Sequence, residues 1–496
     1  MKYFGNSLLL TCLMWSLLQA SVVTAEERLP DVRLLIDVSG SMRQSDPQNL
    51  RAPALDLMVQ LLPEGSRAGV WVFGQWVNMV VPHGEVNEQW REQAQLAVKE
   101  ITNFGLLTNI PDALEMATFD IERLGHRYHT SIILLTDGKV EVSGDTVDNR
   151  RAASDLLQKV APELRDRGVT VHTIALSDEA DWEFLRALAQ VTGGLAERAE
   201  SPEQLSAVFL QALDIAAPTE QVPLLGGEFL VDDSVEEFTV LVFPDADTGG
   251  ISLLDPSGNT QQRDTAPAGT IWYHHERFEL ITVSDPEDGE WRIVAPGSIA
   301  RVNVISHLSL ELDRLPTTMP SGHSPEFGLR LVDSDEVISD PDLLELLTVS
   351  VRIVRSDDRK WELTLTGEDA DSSGEFRIKL PMLAEAGRYE LVLHVDGRSF
   401  QREVSIVTDV VDPVPEIDLM AAVPAELPGE GMPGWLLPAG VSIALLLGLL
   451  FWVFHKRQED DYYEEDFDEA DDYPEDAAEL EPEEGFSSQD EDDELR

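Results

Sequence analysis

The chain has 496 residues, a length that predicts several domains rather than one. About 43% of the residues are hydrophobic, which is normal for a globular protein and excludes general disorder. The formal net charge of −57 excludes nucleic acid as a partner, because phosphate would be repelled, and it predicts a solvated surface that attracts cations.

The N-terminal 25 residues are typical of a secretory signal peptide. Lys2 supplies a positive start, residues 8–20 are apolar, and small residues at 23–25 precede a cleavage site before Glu26. An uncleaved anchor helix is the alternative, although the apolar run is short for a full span. The single cysteine, Cys12, lies in this segment, so the sequence excludes disulfide bonds and cysteine chemistry from the mature chain.

Strand-like and helix-like segments alternate from residue 31 to residue 214. Apolar runs predict strands at residues 32–38, 69–73, 77–81, 131–136 and 170–176. Helical periodicity predicts helices at residues 53–62, 88–101, 113–123, 150–167, 181–191 and 202–213. This order predicts a doubly wound, Rossmann-like α/β domain with a parallel sheet covered on both faces. Binding sites in such sheets lie at the carboxyl ends of the strands.

After residue 218 the helical periodicity ends, and short alternating runs separated by Asp-Pro and Gly turns follow. The spacing of these runs predicts an antiparallel β-sandwich over residues 220–310. Its predicted strands are residues 228–231, 237–243, 251–254, 278–283, 291–294 and 302–310. A second, Ig-like β-sandwich is predicted over residues 311–408. Its predicted strands are residues 327–331, 346–354, 361–366, 374–379, 388–395 and 399–407.

The C-terminal part is predicted to anchor the chain in a membrane. Residues 409–434, rich in Pro, Gly and acidic residues, are typical of a linker. Residues 435–454 carry no charge, and Trp435 and Trp452 stand near the two ends, so we expect one transmembrane helix followed by cations on the cytoplasmic side. The tail, residues 455–496, is dominated by Asp and Glu and is predicted to be disordered. It serves either as a solubilising tail or as a docking site for a basic cytoplasmic partner.

Three oxygen-bearing side chains follow the first predicted strand in the sequence Asp37-Val38-Ser39-Gly40-Ser41. If the chain turns after the strand, all three point into one site, and Gly40 permits a tight turn. Carboxylate and hydroxyl oxygens are hard ligands, suited to Mg²⁺ rather than to a soft metal. Taken alone, the pattern is equally typical of ordinary turn and helix-cap residues.

Two further residues strengthen the metal-site interpretation. Thr108 precedes a predicted helix, and Asp137 follows the strand at residues 131–136 in the sequence Thr136-Asp137-Gly138. In a parallel sheet these positions converge with the first motif on one edge. The order and spacing resemble the metal-ion-dependent adhesion site of von Willebrand factor A domains over residues 31–214. Leu106-Leu107 departs from the small or polar residues that often precede the Thr in that family.

The resemblance implies a role for each of the five residues. Ser39 and Ser41 would ligate a divalent cation directly, Thr108 directly or through water, and Asp37 and Asp137 mainly through water. The cation implied is Mg²⁺, with Mn²⁺ or Ca²⁺ as alternatives. Because few charged groups would touch it directly, it would remain electrophilic towards a carboxylate of a protein partner. We therefore expect a single-pass protein of the bacterial inner membrane that grips an acidic partner in the cell envelope.

Two other functions follow from the same residues. One is an envelope assembly role, in which the domain is a scaffold that works with a cytoplasmic ATPase. The other is an enzyme in which Asp37 accepts a phosphoryl group. Phosphatases of the haloacid dehalogenase type need a second acid where this chain has Ser39, and the sequence shows no nucleophile–base pair near the motif. The sequence therefore favours a non-enzymatic protein, and it leaves adhesion and assembly open.

Overall fold

The computed structural model describes residues 28–412 apart from residues 103–104, 178–179, 200, 245–249, 296 and 335. The predicted signal peptide, transmembrane helix, acidic tail and all but the first residues of the predicted linker lie outside this part of the chain. Within the described residues, no helix is both long and apolar enough to cross a bilayer.

The first part of the chain folds around a six-stranded sheet in the order β3-β2-β1-β4-β5-β6. Its strands are β1 Leu29–Asp37, β2 Arg67–Phe73, β3 Val77–Glu85, β4 Tyr128–Thr136, β5 Val169–Ala175 and β6 Ala196–Arg198. All neighbouring strands are parallel except β3, which pairs with β2 in the antiparallel direction. The predicted parallel sheet is thus confirmed.

Helices cover both faces of this sheet. They are α1 Met42–Ser45, α2 Arg51–Leu61, α3 Glu88–Lys99, α4 Ile110–Ala117, α5 Ile121–Leu124, α6 Thr146–Asp155, α7 Ala161–Asp166, α8 Trp182–Thr192 and α9 Pro202–Ala216. Successive residues of β1 point into two separate cores, Leu34 and Ile36 into one and Leu35 into the other. This double burial explains the unbroken apolar run of Leu34, Leu35 and Ile36 in β1.

Two predicted helices differ from the structure. The helix predicted at residues 113–123 is divided into α4 and α5, and Thr118 caps the end of α4. The helix predicted at residues 150–167 begins at Thr146 and contains a π-helical turn at Leu156–Val160. Pro162 follows this turn, and it lacks the amide that a regular helical bond would need.

The rest of the described chain is built of β-sheets. Its strands are β7 Glu220–Val222, β8 Glu228–Val231, β9 Val235–Pro244, β10 Ser252–Leu254, β11 Thr260–Gln261, β12 Thr270–His274, β13 Glu279–Ser284, β14 Gly289–Val294, β15 Gly297–Ser306, β16 Leu308–Leu312, β17 Thr318–Pro320, β18 Glu326–Asp333, β19 Glu336–Val337, β20 Thr348–Arg355, β21 Lys360–Thr366, β22 Phe376–Lys379, β23 Gly387–Asp396 and β24 Gln401–Val411, with one short helix, α10, at Pro341–Leu344.

These strands enclose two apolar cores, one built from residues 222–304 and one from residues 319–410. A ten-stranded sheet runs through both, in the order β12-β13-β9-β15-β7-β24-β23-β20-β21, with β17 beside β24. Separate four-stranded sheets cover each core, β11-β10-β14-β8 on the first and β16, β18, β19 and β22 on the second. The two predicted sandwiches therefore share one sheet.

Two of the predicted strands end at different residues in the structure, and specific hydrogen bonds explain both differences. The strand predicted at residues 302–310 divides into β15 and β16, which belong to different sheets, and the His307 amide donates to Ser234 between them. The last strand continues to Val411, past the predicted start of the linker at residue 409. Asp409 accepts from the Arg388 guanidinium at 3.0 Å, and its amide donates to the Thr317 carbonyl.

The α/β domain packs directly against the β-sheets. The Tyr273 hydroxyl donates to Asp56 of α2 at 2.6 Å, and Arg301 of β15 pairs with Asp214 of α9. Phe278 and Leu280 contribute to the same apolar core as α2, α3 and α9. The α/β domain and the β-sheets therefore form one packed unit, and the carboxyl edge of the six-stranded sheet belongs to it.

Candidate metal centre

Asp37 is the last residue of β1, and its side chain is fully buried. Its Oδ1 accepts a hydrogen bond from the Ser39 amide at 2.8 Å, and its Oδ2 accepts one from the Thr136 hydroxyl at 2.5 Å. Thr136 is the last residue of the neighbouring strand β4, and its hydroxyl also accepts from the Gly138 amide at 3.1 Å. These bonds tie the ends of β1 and β4 together around one carboxylate.

Burial raises the pKa of Asp37 to about 6, and the nearby charge of Asp137 adds to the increase. The hydrogen bonds from Thr136 and Ser39 lower the pKa and only partly offset the burial. A carboxylate moved out of water is unfavourable unless a positive charge compensates it. A nearby cation would therefore compensate the buried charge of the Asp37 carboxylate.

The hydroxyls of the first motif meet the second motif across the loop. Ser39 Oγ lies 3.0 Å from Ser41 Oγ, and the Ser41 hydroxyl donates to Asp137 Oδ1 at 2.8 Å. Ser41 stands at the N-terminus of α1 without capping it through its side chain, so its hydroxyl serves the site instead. Four of the five predicted residues, Asp37, Ser39, Ser41 and Asp137, are thus joined through hydrogen bonds with Thr136 and Gly138.

Thr108 reaches the same place from the loop before α4. Its backbone forms a two-bond bridge with Glu141, at 3.1 Å and 2.9 Å. A Cβ atom added to Gly138 would lie 3.1 Å from Thr108 Oγ1, so the Thr108 hydroxyl is next to the backbone that follows Asp137. The structure thus places the fifth predicted residue beside the other four.

The backbone of the loop accommodates Leu106 and Leu107, which stand where the resembling family often has small or polar residues. Leu107 adopts a left-handed conformation with a φ of 59°, which is uncommon for a residue with a branched side chain. Gly105 donates from its amide to the Val38 carbonyl at 2.8 Å, which fixes the loop to the end of β1. Leu106 then points outward and is 69% exposed, while Thr108 stays at the site.

Two supporting groups were not foreseen from the sequence. The Ser45 hydroxyl donates to the second carboxylate oxygen of Asp137. Arg51 is fully buried, pairs with Asp46 at 2.8 Å, and donates to the carbonyl oxygen of Asp37. The position of Ser45, four residues after Ser41 on a helix, was the available signal for the first group. The Arg51 contact depends on the folded path of the loop, which no local pattern encodes.

A cleft of about 830 Å³ opens onto the centre and extends towards β6. Its lining contains three of the predicted residues together with basic, acidic and aromatic side chains: Ser41, Thr108, Asp137, Gly138, Lys139, Glu141, Ala180, Asp181, Trp182, Glu183 and Arg198. The Arg198 guanidinium lies over the Trp182 ring, 4.5 Å from its centroid. A ligand of the size of a peptide side chain therefore has open access to the hydroxyls.

The donor set fits a hard divalent cation. Five oxygen-bearing side chains, two carboxylates and three hydroxyls, meet at one strand edge, and Asp37, Ser39, Thr108 and Asp137 are each at most 5% exposed. Oxygen ligands of this kind suit Mg²⁺, Mn²⁺ or Ca²⁺ and not a soft metal. In the described part of the chain, no group of three or more His, Cys, Asp or Glu residues offers another metal site.

Two family matches cover most of the described chain. Residues 31–211 match the von Willebrand factor type A domain family, and residues 220–304 match a family described as hemicentin galactose-binding domain-like. An uncharacterised protein of Synechocystis sp. is 26% identical over 261 residues, which are 52% of this chain and 58% of that relative. The chain thus spans little more than half the length of the curated relative that it matches.

Several solved structures are similar in fold. A von Willebrand factor type A protein from Catenulispora acidiphila is 17% identical, with 62% of each chain covered and a TM-score of 0.34. An aerotolerance-related membrane protein from Bacteroides fragilis is 14% identical over 37% of this chain and 98% of its own, with a TM-score of 0.30. The manganese-loaded TRAP protein of Plasmodium vivax is 22% identical over 37% of this chain and 72% of its own, also with a TM-score of 0.30.

The family match over residues 31–211 spans the six-stranded sheet and the loops that carry the five predicted site residues. The match and the confirmed α/β sheet agree with the resemblance seen in the sequence motifs. Residues 31–211 of this chain are a von Willebrand factor type A domain.

Proposed function

We propose that the five clustered residues hold one divalent cation and that this cation binds a carboxylate of a protein partner. The observation that carries the proposal is the hydroxyl and carboxylate network at the mouth of an open cleft. In this proposal Ser39 and Ser41 would ligate the cation directly, Thr108 would ligate it directly or through water, and Asp37 and Asp137 would act mainly through water. Mg²⁺ is the first candidate, with Mn²⁺ and Ca²⁺ as alternatives.

The chemistry supplied by the cation is the electrostatic attraction of an anionic ligand. Hydroxyl ligands are neutral, so a cation held by them keeps most of its positive charge for an incoming carboxylate. The chain's own residues orient this interaction. The Asp37 carboxylate fixes the Ser39 amide, and Asp137 accepts from both Ser41 and Ser45. These bonds hold the loop in one conformation before a partner arrives.

The proposed setting is the outer side of the cytoplasmic membrane. Support comes from the sequence, which has a signal-like N-terminus and an uncharged segment at residues 435–454 followed by cations. In this arrangement the β-sheet region follows the type A domain in the chain and precedes the proposed span, and the partner is a protein of the cell envelope.

The proposal is tested by capturing envelope proteins on the purified protein with Mg²⁺ present. We expect specific partners to elute with EDTA and to be absent when an Asp37→Ala variant is used. Asp148→Ala is the matched control, because Asp148 is an exposed acid of the same domain whose ion pair with Arg151 is also exposed. Partners that remain bound without metal, or that bind the Asp37→Ala variant equally well, would show that the cation is not the means of recognition.

A further inference from the structure

Two large apolar side chains stand exposed beside the candidate metal centre. Trp76 is 74% exposed and Leu106 is 69% exposed. Trp76 lies in the turn between β2 and β3, and Leu106 lies in the loop that carries Thr108. Neither residue belongs to the apolar cores of the domain, and what distinguishes the pair from other exposed apolar residues is its position in the loops beside the centre.

The backbone brings these two loops into contact with each other. Asn109 donates from its amide to the Gly74 carbonyl at 3.1 Å. A Cβ atom on Gly74 would lie 3.0 Å from Gly105 Cα and 3.3 Å from the Leu106 carbonyl oxygen, so no side chain separates the loops. Trp76 is then held close by, because its carbonyl accepts from the Gly74 amide at 3.1 Å.

The same pair of loops is fixed to the strand end that carries Ser39. Val38 donates from its amide to the Phe73 carbonyl at 2.9 Å, and it accepts from the Gly105 amide at 2.8 Å. The loops of Trp76 and Leu106 are therefore hydrogen-bonded to the chain segment that carries Ser39, one of the residues proposed to hold the cation. We call Trp76 and Leu106 the apolar rim.

The geometry points to a partner segment in which a bulky apolar side chain adjoins the acidic residue that reaches the cation. The apolar rim buries the apolar side chain while the cation takes the carboxylate. This inference rests on the proposed function, because the carboxylate fixes where the segment enters. The cleft itself is lined by both basic and acidic side chains, among them Lys139, Arg198 and Glu141, and the apolar rim lies outside this lining.

The size of the effect follows from the area removed from water. Burial of one large apolar side chain at an interface strengthens binding by about tenfold or more. An aromatic side chain at the centre of an interface is a frequent source of such strength. We therefore expect the apolar rim to distinguish between acidic segments that carry the same charge.

The test uses two synthetic peptides of equal length and charge. Each has a central Asp in a Ser and Ala background, and one has Phe next to the Asp where the other has Ser. With Mg²⁺ present, we expect fluorescence anisotropy to give about tenfold tighter binding of the Phe peptide. The double variant Trp76→Ser, Leu106→Ser should remove that advantage and leave the affinity for the Ser peptide unchanged.

Leu96→Ser is the matched control, because Leu96 is 67% exposed on α3 of the same domain. It should leave both affinities as they are in the unchanged protein, and the Mg²⁺-dependent rise in melting temperature should persist in every variant. Equal binding of the two peptides, or an advantage that survives in the double variant, overturns this inference and leaves the proposed function standing. Absence of any Mg²⁺-dependent peptide binding counts against both.

Discussion

Replacing Asp37 by Asn should make the metal-free protein more stable while it removes the response to Mg²⁺. Asp37 is fully buried, and burial raises its pKa from 3.8 to about 6. The amide oxygen of Asn can still accept from the Ser39 amide. The Asn NH₂ can donate to the Thr136 hydroxyl, which already accepts from Gly138. The hydrogen bonds therefore survive, and the buried charge is lost.

The magnitude follows from the pKa difference between the folded and unfolded states. A rise from 3.8 to about 6 corresponds to about 3 kcal/mol at neutral pH, at about 1.4 kcal/mol for each pKa unit. Below pH 3.8 the carboxyl is protonated in both states, so it imposes no penalty on folding. As the pH rises to about 6, the unfolded state releases its proton first, and the folded state loses stability.

Thermal unfolding followed by tryptophan fluorescence measures this difference. In EDTA at about pH 7, the melting temperature of Asp37→Asn should rise by about 2 to 4 °C for each kcal/mol gained. At about pH 4 the gain should shrink strongly, because the unchanged protein is then protonated. Added Mg²⁺ should stabilise the unchanged protein and not the variant.

A melting temperature in EDTA that falls, or a gain that is equal at both pH values, would refute the reasoning from buried charge. A variant that still responds to Mg²⁺ as the unchanged protein does would instead remove Asp37 from the proposed site.

Three further predictions concern other parts of the described chain. Gly138→Ala should weaken Mg²⁺ binding by about tenfold or more in calorimetric titration, with little change in metal-free melting temperature, because the new methyl group crowds the Thr108 hydroxyl. Arg402→Met should cost about 3 to 5 kcal/mol in urea unfolding, because it leaves the buried Asp232 without its counter-charge, and a second change of Asp232 to Asn should recover part of the loss. The His83 hydrogen bond and the Arg33 charge outweigh burial and lower the pKa of Asp31 below 3.8, so its stabilising contribution is present above that pH and lost below it. Asp31→Asn should therefore be less stable at about pH 7, and the two unfolding free energies should converge in acid.

The long strands of the α/β domain and the five clustered residues were predictable because their signals are local. Leu34, Leu35 and Ile36 of β1 point alternately into two apolar cores, which is the pattern of a central parallel strand. Asp37 and Asp137 each follow an apolar run, so a parallel sheet brings them to one edge without any further information. Parallel strands all end at the same edge of a sheet, so the order of the segments in the sequence was enough to predict that the two acids lie together.

The remaining contacts depend on residues far apart in the chain. Arg51 reaches the Asp37 carbonyl because the loop folds back, and Trp76 meets the loop of Leu106 through two glycines 31 positions apart, Gly74 and Gly105. The short strand β6 carries no apolar run and is recognisable only by its pairing with β5. Alternation of apolar residues describes single strands, so it could not reveal that two sandwiches share a sheet.

The shared ten-stranded sheet joins the two β domains into one structural unit. The family match ends at residue 304, yet Asp232 within it receives its buried counter-charge from Arg402, at 2.6 Å. A fragment cut near residue 310 would keep the acid and lose the arginine, and it would open the edge of β7 where Gln221 pairs with Glu403. Gene fusions that transfer this module between proteins would therefore be expected to carry the chain through Val411.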